Sequence, residues 1–212
     1  MNNFYVKNIK SFFYIFEKKK RMEIGLIGIF IIIMAIIFFY CLYLYDYYSK
    51  MDTVVSKVDN HSYKVQKKED SAEAADLIAN IRERLMVIVN HLKQAYPGDE
   101  RVERIKNNFK PNNISEGIDT PGTTSYSINK GEQIILCLRT NNKLVDINTM
   151  MFVVLHELSH IATVSIGHTK EFWNNFRWIL EESINIGMYT KVDYQKQPLE
   201  YCGMDITSSP LD

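Results

Sequence analysis

The 212-residue sequence predicts an α+β domain, a small sheet or hairpin packed on a helix, behind a single N-terminal transmembrane helix. Three observations carry this. Ile24 to Tyr45 is a run of twenty-two residues without a charge. Thr124–Ile128 and Glu132–Leu138 are strand-like runs divided by the turn signal Asn129-Lys130-Gly131. On both sides of that pair, apolar residues return at three- and four-residue spacing, the period of a helix with one buried face.

At about 1.5 Å per residue, the uncharged run crosses a hydrocarbon core of about 30 Å. Its carboxyl end is aromatic, with Phe38, Phe39, Tyr40, Tyr43 and Tyr45 suited to headgroup depth. The run is longer than a signal-peptide core, and Asp46-Tyr47-Tyr48-Ser49 offers no small-x-small cleavage site, so a retained anchor is expected. Lys18, Lys19, Lys20 and Arg21 precede the run, whereas Lys50 and Lys57 alone follow closely. That asymmetry places the amino end in the cytosol and the following domain on the far side. There Asn60-His61-Ser62 and Asn113-Ile114-Ser115 would be glycosylation sequons.

The expected organisation is a basic segment 1–23, a transmembrane helix 24–45, a solvated tether 46–70 and a folded domain 71–212. Within the domain, Ile78, Ile81, Leu85, Ile88 and Leu92 form one helix face that stops at Tyr96-Pro97-Gly98. A shorter helix is expected over 99–109. Pro111, Gly117, Pro121 and Gly122 then mark an extended loop before the hairpin. Asn141-Asn142-Lys143 signals another turn, and from about Asn148 the residues Met151, Val154, Leu155 and Leu158 resume helical spacing. Thr169 is a candidate N-cap for a last helix through Phe172, Phe176, Ile179 and Leu180, continuing to Tyr189. The tail from Lys191 shows no period.

Charge and cysteine content narrow the function classes. Met1–Glu23 has six Lys/Arg against two Glu, and the rest of the chain has nineteen against twenty-three acids, giving +4 and −4. A domain at −4 lacks the broad basic footprint of nucleic-acid binding, so nucleic acid is an unlikely direct partner. Cys41, Cys137 and Cys202 have no CxxC spacing, so neither a zinc ribbon nor a thioredoxin-like motif is indicated. Cys137 and Cys202 read as two buried thiols slightly ahead of a disulfide.

The chemistry sits in His156-Glu157-Leu158-Ser159-His160. On a helix, His156 and His160 stack on one face and can direct two imidazoles at a single zinc ion. Glu157 is the expected general base, taking a proton from a metal-activated water and returning it to the leaving amine. A catalytic zinc needs a third protein ligand and one open position. His168, directly after Gly167, is favoured by ligand type and spacing, with Glu181 and Glu182 on the following helix as alternatives. Tyr189, Tyr194 and Tyr201 are unranked candidates for an oxyanion partner, and Phe172 and Trp173 are expected behind the zinc helix in the core. If Glu132–Leu138 is a sheet edge above the cleft, an extended peptide could bind by adding a strand to it.

The run Asn129-Lys130-Gly131-Glu132-Gln133-Ile134-Ile135-Leu136-Cys137-Leu138-Arg139, the His-Glu-Leu-Ser-His helix, Gly167-His168 and Phe172-Trp173 together resemble the WLM-type metallopeptidases. These are relatives of SprT/Spartan-like proteases that degrade proteins crosslinked to DNA. The resemblance spans about Ser125–Phe176 and implies a zincin-like fold, and the N-terminal anchor read from the uncharged run is a departure from it. The resemblance implies His156, His160 and His168 as zinc ligands and Glu157 as catalytic base. Seven residues separate His160 from His168, a longer link than the resemblance implies. The expected function is a membrane-anchored zinc endopeptidase acting on protein or peptide. The alternatives are a membrane scaffold with a structural or vestigial zinc site, and a DNA–protein crosslink protease.

Overall fold

The computed structural model describes residues 27–118 and 122–212. The basic segment, the first residues of the uncharged run and Pro121 lie outside the described residues. The chain divides into two units, Met1–Ser49 and Lys50–Asp212.

In the first unit, helix α1 (Ile27–Lys50) has a mean hydropathy of 2.8 in its most apolar window, with none of that window buried against protein. It runs five residues beyond the predicted end at Tyr45. Phe39, Tyr43 and Tyr45 are exposed by 64–76%. A core helix of a soluble domain would bury such a surface, because leaving large apolar side chains in water costs about 1.5–3 kcal/mol each.

The second unit begins where a tether was expected. Strands β1 (Met51–Val55) and β2 (Ser62–Gln66) form an antiparallel hairpin in which Met51 pairs with Gln66. Tyr63 and Val65 alternate with exposed Lys64 and are buried on helix α2 (Ser71–Ala95). The period of two is there in the sequence, but it is short and set among lysines, which gave the segment the polar average of a linker. Asp76 of α2 accepts from the Ser56 hydroxyl at 2.7 Å and the Lys57 amide at 2.8 Å, pinning the hairpin to the helix.

Helix α2 buries Ile78, Ile81, Leu85, Ile88 and Leu92 completely, as the spacing predicts. Helix α3 (Glu100–Asn108) follows, with Asp99 accepting from the Arg101 amide as N-cap. The expected loop contains a strand, β3 (Ile114–Glu116), which runs parallel to β5 (Gln133–Leu136). β4 (Tyr126–Ile128) pairs antiparallel with the other side of β5, so the sheet order is β3-β5-β4. The strand expected at the edge is therefore central, with β3 and β4 on its two sides. β3 was hidden because three residues are too few to display a period, and its pairing depends on a partner about twenty residues downstream.

The β4–β5 turn takes left-handed backbone at Asn129 (φ 46°), Lys130 (52°) and Gly131 (111°). Strands β6 (Arg139–Thr140) and β7 (Lys143–Leu144) follow, joined through Asn141 and Asn142 with φ of 52° and 61°, the conformation of a tight hairpin. Helix α4 (Ile147–Ala162) is capped by Asp146, which accepts from Asn148 and Thr149 amides at 3.0 Å. Helix α5 (Lys170–Asn185) is capped by Thr169, as predicted, but ends before Tyr189.

The tail is ordered rather than featureless. β8 (Leu199–Tyr201) and β9 (Met204–Ile206) form a hairpin, and Cys137 is disulfide-bonded to Cys202, so the two-thiol expectation is corrected. The Cys137–Cys202 link joins residues 65 apart in the chain, a relation that sequence spacing does not reveal. Beneath the sheet, the Arg139 guanidinium meets buried Glu116 and, at 2.6 Å, Asp70. Glu116 also accepts from the Gln66 amide at 2.7 Å, so one buried group ties β2, β3, α2 and β6 together.

Candidate active site

Helix α4 is buried on nearly all sides. From Val154 to Ala162 only His156 and His160 reach solvent, and both do so on one face. Apolar neighbours around the rest of the helix fix its rotation, since turning it would expose Leu155, Leu158 and Ile161. The Nε2 atoms of His156 and His160 lie 3.2 Å apart. His168 arrives from the loop after α4 with its Nε2 3.0 Å from that of His156. The three residues can each offer one ligand atom within 4.8 Å of the others, the one such group of three or more His, Cys, Asp or Glu among the described residues.

The rival ligands lie elsewhere. Glu182 accepts from the Tyr96 hydroxyl at 2.6 Å and stands 2.6 Å from His91 Nε2, while Glu181 faces Arg177. Phe172, fully buried, forms the floor of the cluster, with its ring centroid 4.3 to 4.8 Å from all three imidazoles. Trp173, expected in the core, is 44% exposed and tilts over His168.

Burial, followed by the neighbouring His160 and His168, holds His156 down at about 3. Burial likewise depresses His160 to about 4, with His168 and Lys130 adding to the shift. Both are therefore neutral imidazoles at pH 7, the form that presents a lone pair to a metal. Glu157 is 5% exposed, and burial pushes its carboxyl up to about 7, opposed by hydrogen bonds from the Ser127 hydroxyl and amide. The cluster opens into a cleft of about 500 Å³ whose other wall is the β4 segment, with Ser125, Tyr126 and Ser127 opposite His156, Glu157 and His160.

None of the three candidate tyrosines lines this cleft. Tyr189 and Tyr194 are buried against Phe152. Tyr201 is buried with its hydroxyl 2.5 Å from Ser125 Oγ, and it donates to the Cys137 carbonyl at 2.8 Å. The oxyanion roles considered for them are thus set aside, for Tyr189 and Tyr194 on burial away from the cleft and for Tyr201 also on prior hydrogen bonding.

Residues 56–205 match the family described as WLM domain. The chain belongs to the WLM-type metallopeptidase family. Among relatives of this WLM protein is R325 of Acanthamoeba polyphaga mimivirus, 32% identical over 191 residues, 87% of this chain and 95% of R325. Protein 136R of Invertebrate iridescent virus 6 is 25% identical over 149 residues, 65% of this chain and 80% of its own length. Among solved structures, Wss1 from Saccharomyces cerevisiae superposes with a TM-score of 0.44 at 24% identity, over 57% of this chain and 85% of Wss1.

Three polar residues of the WLM site have no signature in the sequence. Ser127 faces Glu157 across the cleft from the edge strand and counters the rise of its carboxyl. Lys130 was legible only as part of a turn, yet its ammonium meets the carbonyls of Thr163, Val164 and Ser165. Glu171 accepts from the amides of Val164 and Ser165, and those contacts hold its carboxyl below the ordinary range.

Proposed function

We propose that this WLM protein is a membrane-anchored, zinc-dependent endopeptidase that hydrolyses peptide bonds with Glu157 as general base. The observation that carries the reading is the convergence of three imidazoles and one buried carboxylate on a single open cleft. The donor set fits the metal. Three nitrogens about 2.05 Å from a tetrahedral zinc stand roughly 3.3 Å apart, close to the two Nε2 separations of 3.0 and 3.2 Å. His156, His160 and His168 would hold the ion, leaving a position open toward the cleft.

Zinc, when bound, lowers the pKa of a water and polarises the scissile carbonyl. Glu157 would accept the proton that the attacking water gives up as its oxygen bonds to the carbonyl carbon. It then passes the proton to the amine nitrogen as the carbon–nitrogen bond breaks. Ser127 offers Glu157 a polar partner on the opposite wall, and Phe172 keeps water from behind the imidazoles. An extended peptide is accommodated as a further strand beside the free edge of β4, which borders the cleft.

Helix α1 supports single-pass anchoring, and the Cys137–Cys202 disulfide supports a catalytic unit on the oxidising side of that membrane. Such a location, together with the −4 charge of the chain after the anchor, argues against DNA-bound substrates. Glu157→Gln is the test of the chemistry. It is expected to retain zinc while losing chelator-sensitive peptide hydrolysis by about 10²- to 10⁴-fold. Undiminished hydrolysis in that variant would show the base to be elsewhere. Protease protection of a C-terminally tagged chain in sealed vesicles tests the topology, and digestion from the cytosolic side would overturn it.

A further inference from the structure

The link from His160 to His168 is irregular once α4 ends at Ala162, and its middle is exposed, with Ile166 at 91%. Nothing apolar holds that part of the loop, yet its last residue completes the histidine cluster. The backbone around Val164 and Ser165 is instead gripped from two elements that are far apart in sequence. On one side, Lys130 Nζ from the β4–β5 turn donates to the carbonyls of Thr163 and Val164 at 2.6 Å and of Ser165 at 3.3 Å. An ammonium has three donors, and all three are engaged here. Lys130 is thereby unavailable as an oxyanion partner although it borders the cleft.

On the other side, Glu171 from the first turn of α5 accepts from the Val164 amide at 3.0 Å and the Ser165 amide at 3.2 Å. It also accepts from the Ser165 hydroxyl at 2.8 Å, whose oxygen stands 2.6 Å from Thr169 Oγ1. The carbonyls are thus taken by a cation and the amides by an anion. The cation sits beyond the carboxyl end of α4, where the helix dipole favours positive charge.

We infer that Lys130 and Glu171 form a two-sided clamp on the Val164–Ser165 backbone that presets His168 for the metal, making both of them positioning residues. This rests on the zinc reading above. Without the clamp, the two remaining histidines are still built into α4, but the third must be ordered when the ion arrives.

The test uses the full-length chain in detergent, stripped of metal and titrated with zinc against a chelator of known affinity. Lys130→Met and Glu171→Ala are each expected to weaken zinc about tenfold or more while keeping one ion per chain, the usual effect of losing a group that orients a ligand. Their metal-free melting temperatures should stay close to that of the parent, and amide exchange at 163–168 should rise. Lys130→Arg, which still donates to carbonyls, should recover most of the affinity. His168→Ala should lose more than either clamp variant. Parental affinity in Lys130→Met or in Glu171→Ala overturns the two-sided clamp. If Lys130→Met does not fold, Glu171→Ala decides alone by the same measure. A parent chain that takes up no stoichiometric zinc defeats the zinc reading itself, an outcome distinct from a zinc-binding parent with unaffected variants.

Discussion

Phe172 touches all three imidazoles from behind, and its loss opens the floor of the site as well as the core. Phe172→Ala is expected to cost about 3–5 kcal/mol of stability, as other buried phenylalanines do, with a loss of zinc retention that Phe172→Leu largely avoids. Chemical denaturation and metal analysis of both variants check this. Ser127 works at the same scale on the other wall. Ser127→Ala, which removes a polar neighbour of Glu157, should lower kcat about tenfold and leave zinc content unchanged. A fall in bound zinc would mean that Ser127 supports the histidines rather than Glu157. His156, Glu157 and His160 were legible because residue type and helical spacing together specify a geometry. Ser127, Lys130 and Glu171 were not, since a serine, a lysine and a glutamate acquire their partners only when separate segments meet.

Among the elements, helices α2 to α5 and the β4–β5 hairpin could be read from period and punctuation, because each is long or strongly marked enough to carry its own signal. The exceptions share one cause. β1–β2, β3 and β8–β9 are three to five residues long, and their stability comes from partners rather than from their own composition. The turn between β4 and β5 shows how narrowly a legible element can be fixed. A Cβ on Gly131 would lie 2.7 Å from Ile161 Cδ1 and 3.0 Å from the Asn108 carbonyl oxygen, on backbone at φ +111°. Gly131→Ala is expected to destabilise by about 1–3 kcal/mol and to shift the turn that carries Lys130. The corresponding drop in melting temperature should come with weaker zinc binding, whereas a change at exposed Gly98, which has nothing within 4 Å, should lower stability without touching the site.

At the scale of the molecule, the buried Arg139–Glu116 contact and its Asp70 branch hold the amino-terminal hairpin, the sheet and α2 in one arrangement. Arg139→Met strands a buried carboxylate and is expected to cost about 3–5 kcal/mol. Asp70 adds a pH dependence. Hydrogen bonding from Arg139 holds its carboxyl below the ordinary 3.8, outweighing the opposing effect of burial. Because the folded value is the lower one, this contribution is complete above pH 3.8 and is lost as pH falls through the depressed value. Thermal melts from pH 5 to pH 2 should show the loss, and Asp70→Asn should remove that part of it. Reduction of the Cys137–Cys202 link, which closes a long loop, should lower stability by about 4 kcal/mol on the chain-entropy account.

That same link bears on how the protein must be prepared. Tyr201 and Cys202 are neighbours, and the tyrosine hydroxyl reaches Ser125 on the wall of the cleft. A chain produced in a reducing cytoplasm and one produced by secretion are consequently different samples, the former holding its last hairpin to the cleft wall by hydrogen bonds and packing without a covalent tie. An inert preparation of the first kind would report the host's redox state before it reported on the histidines.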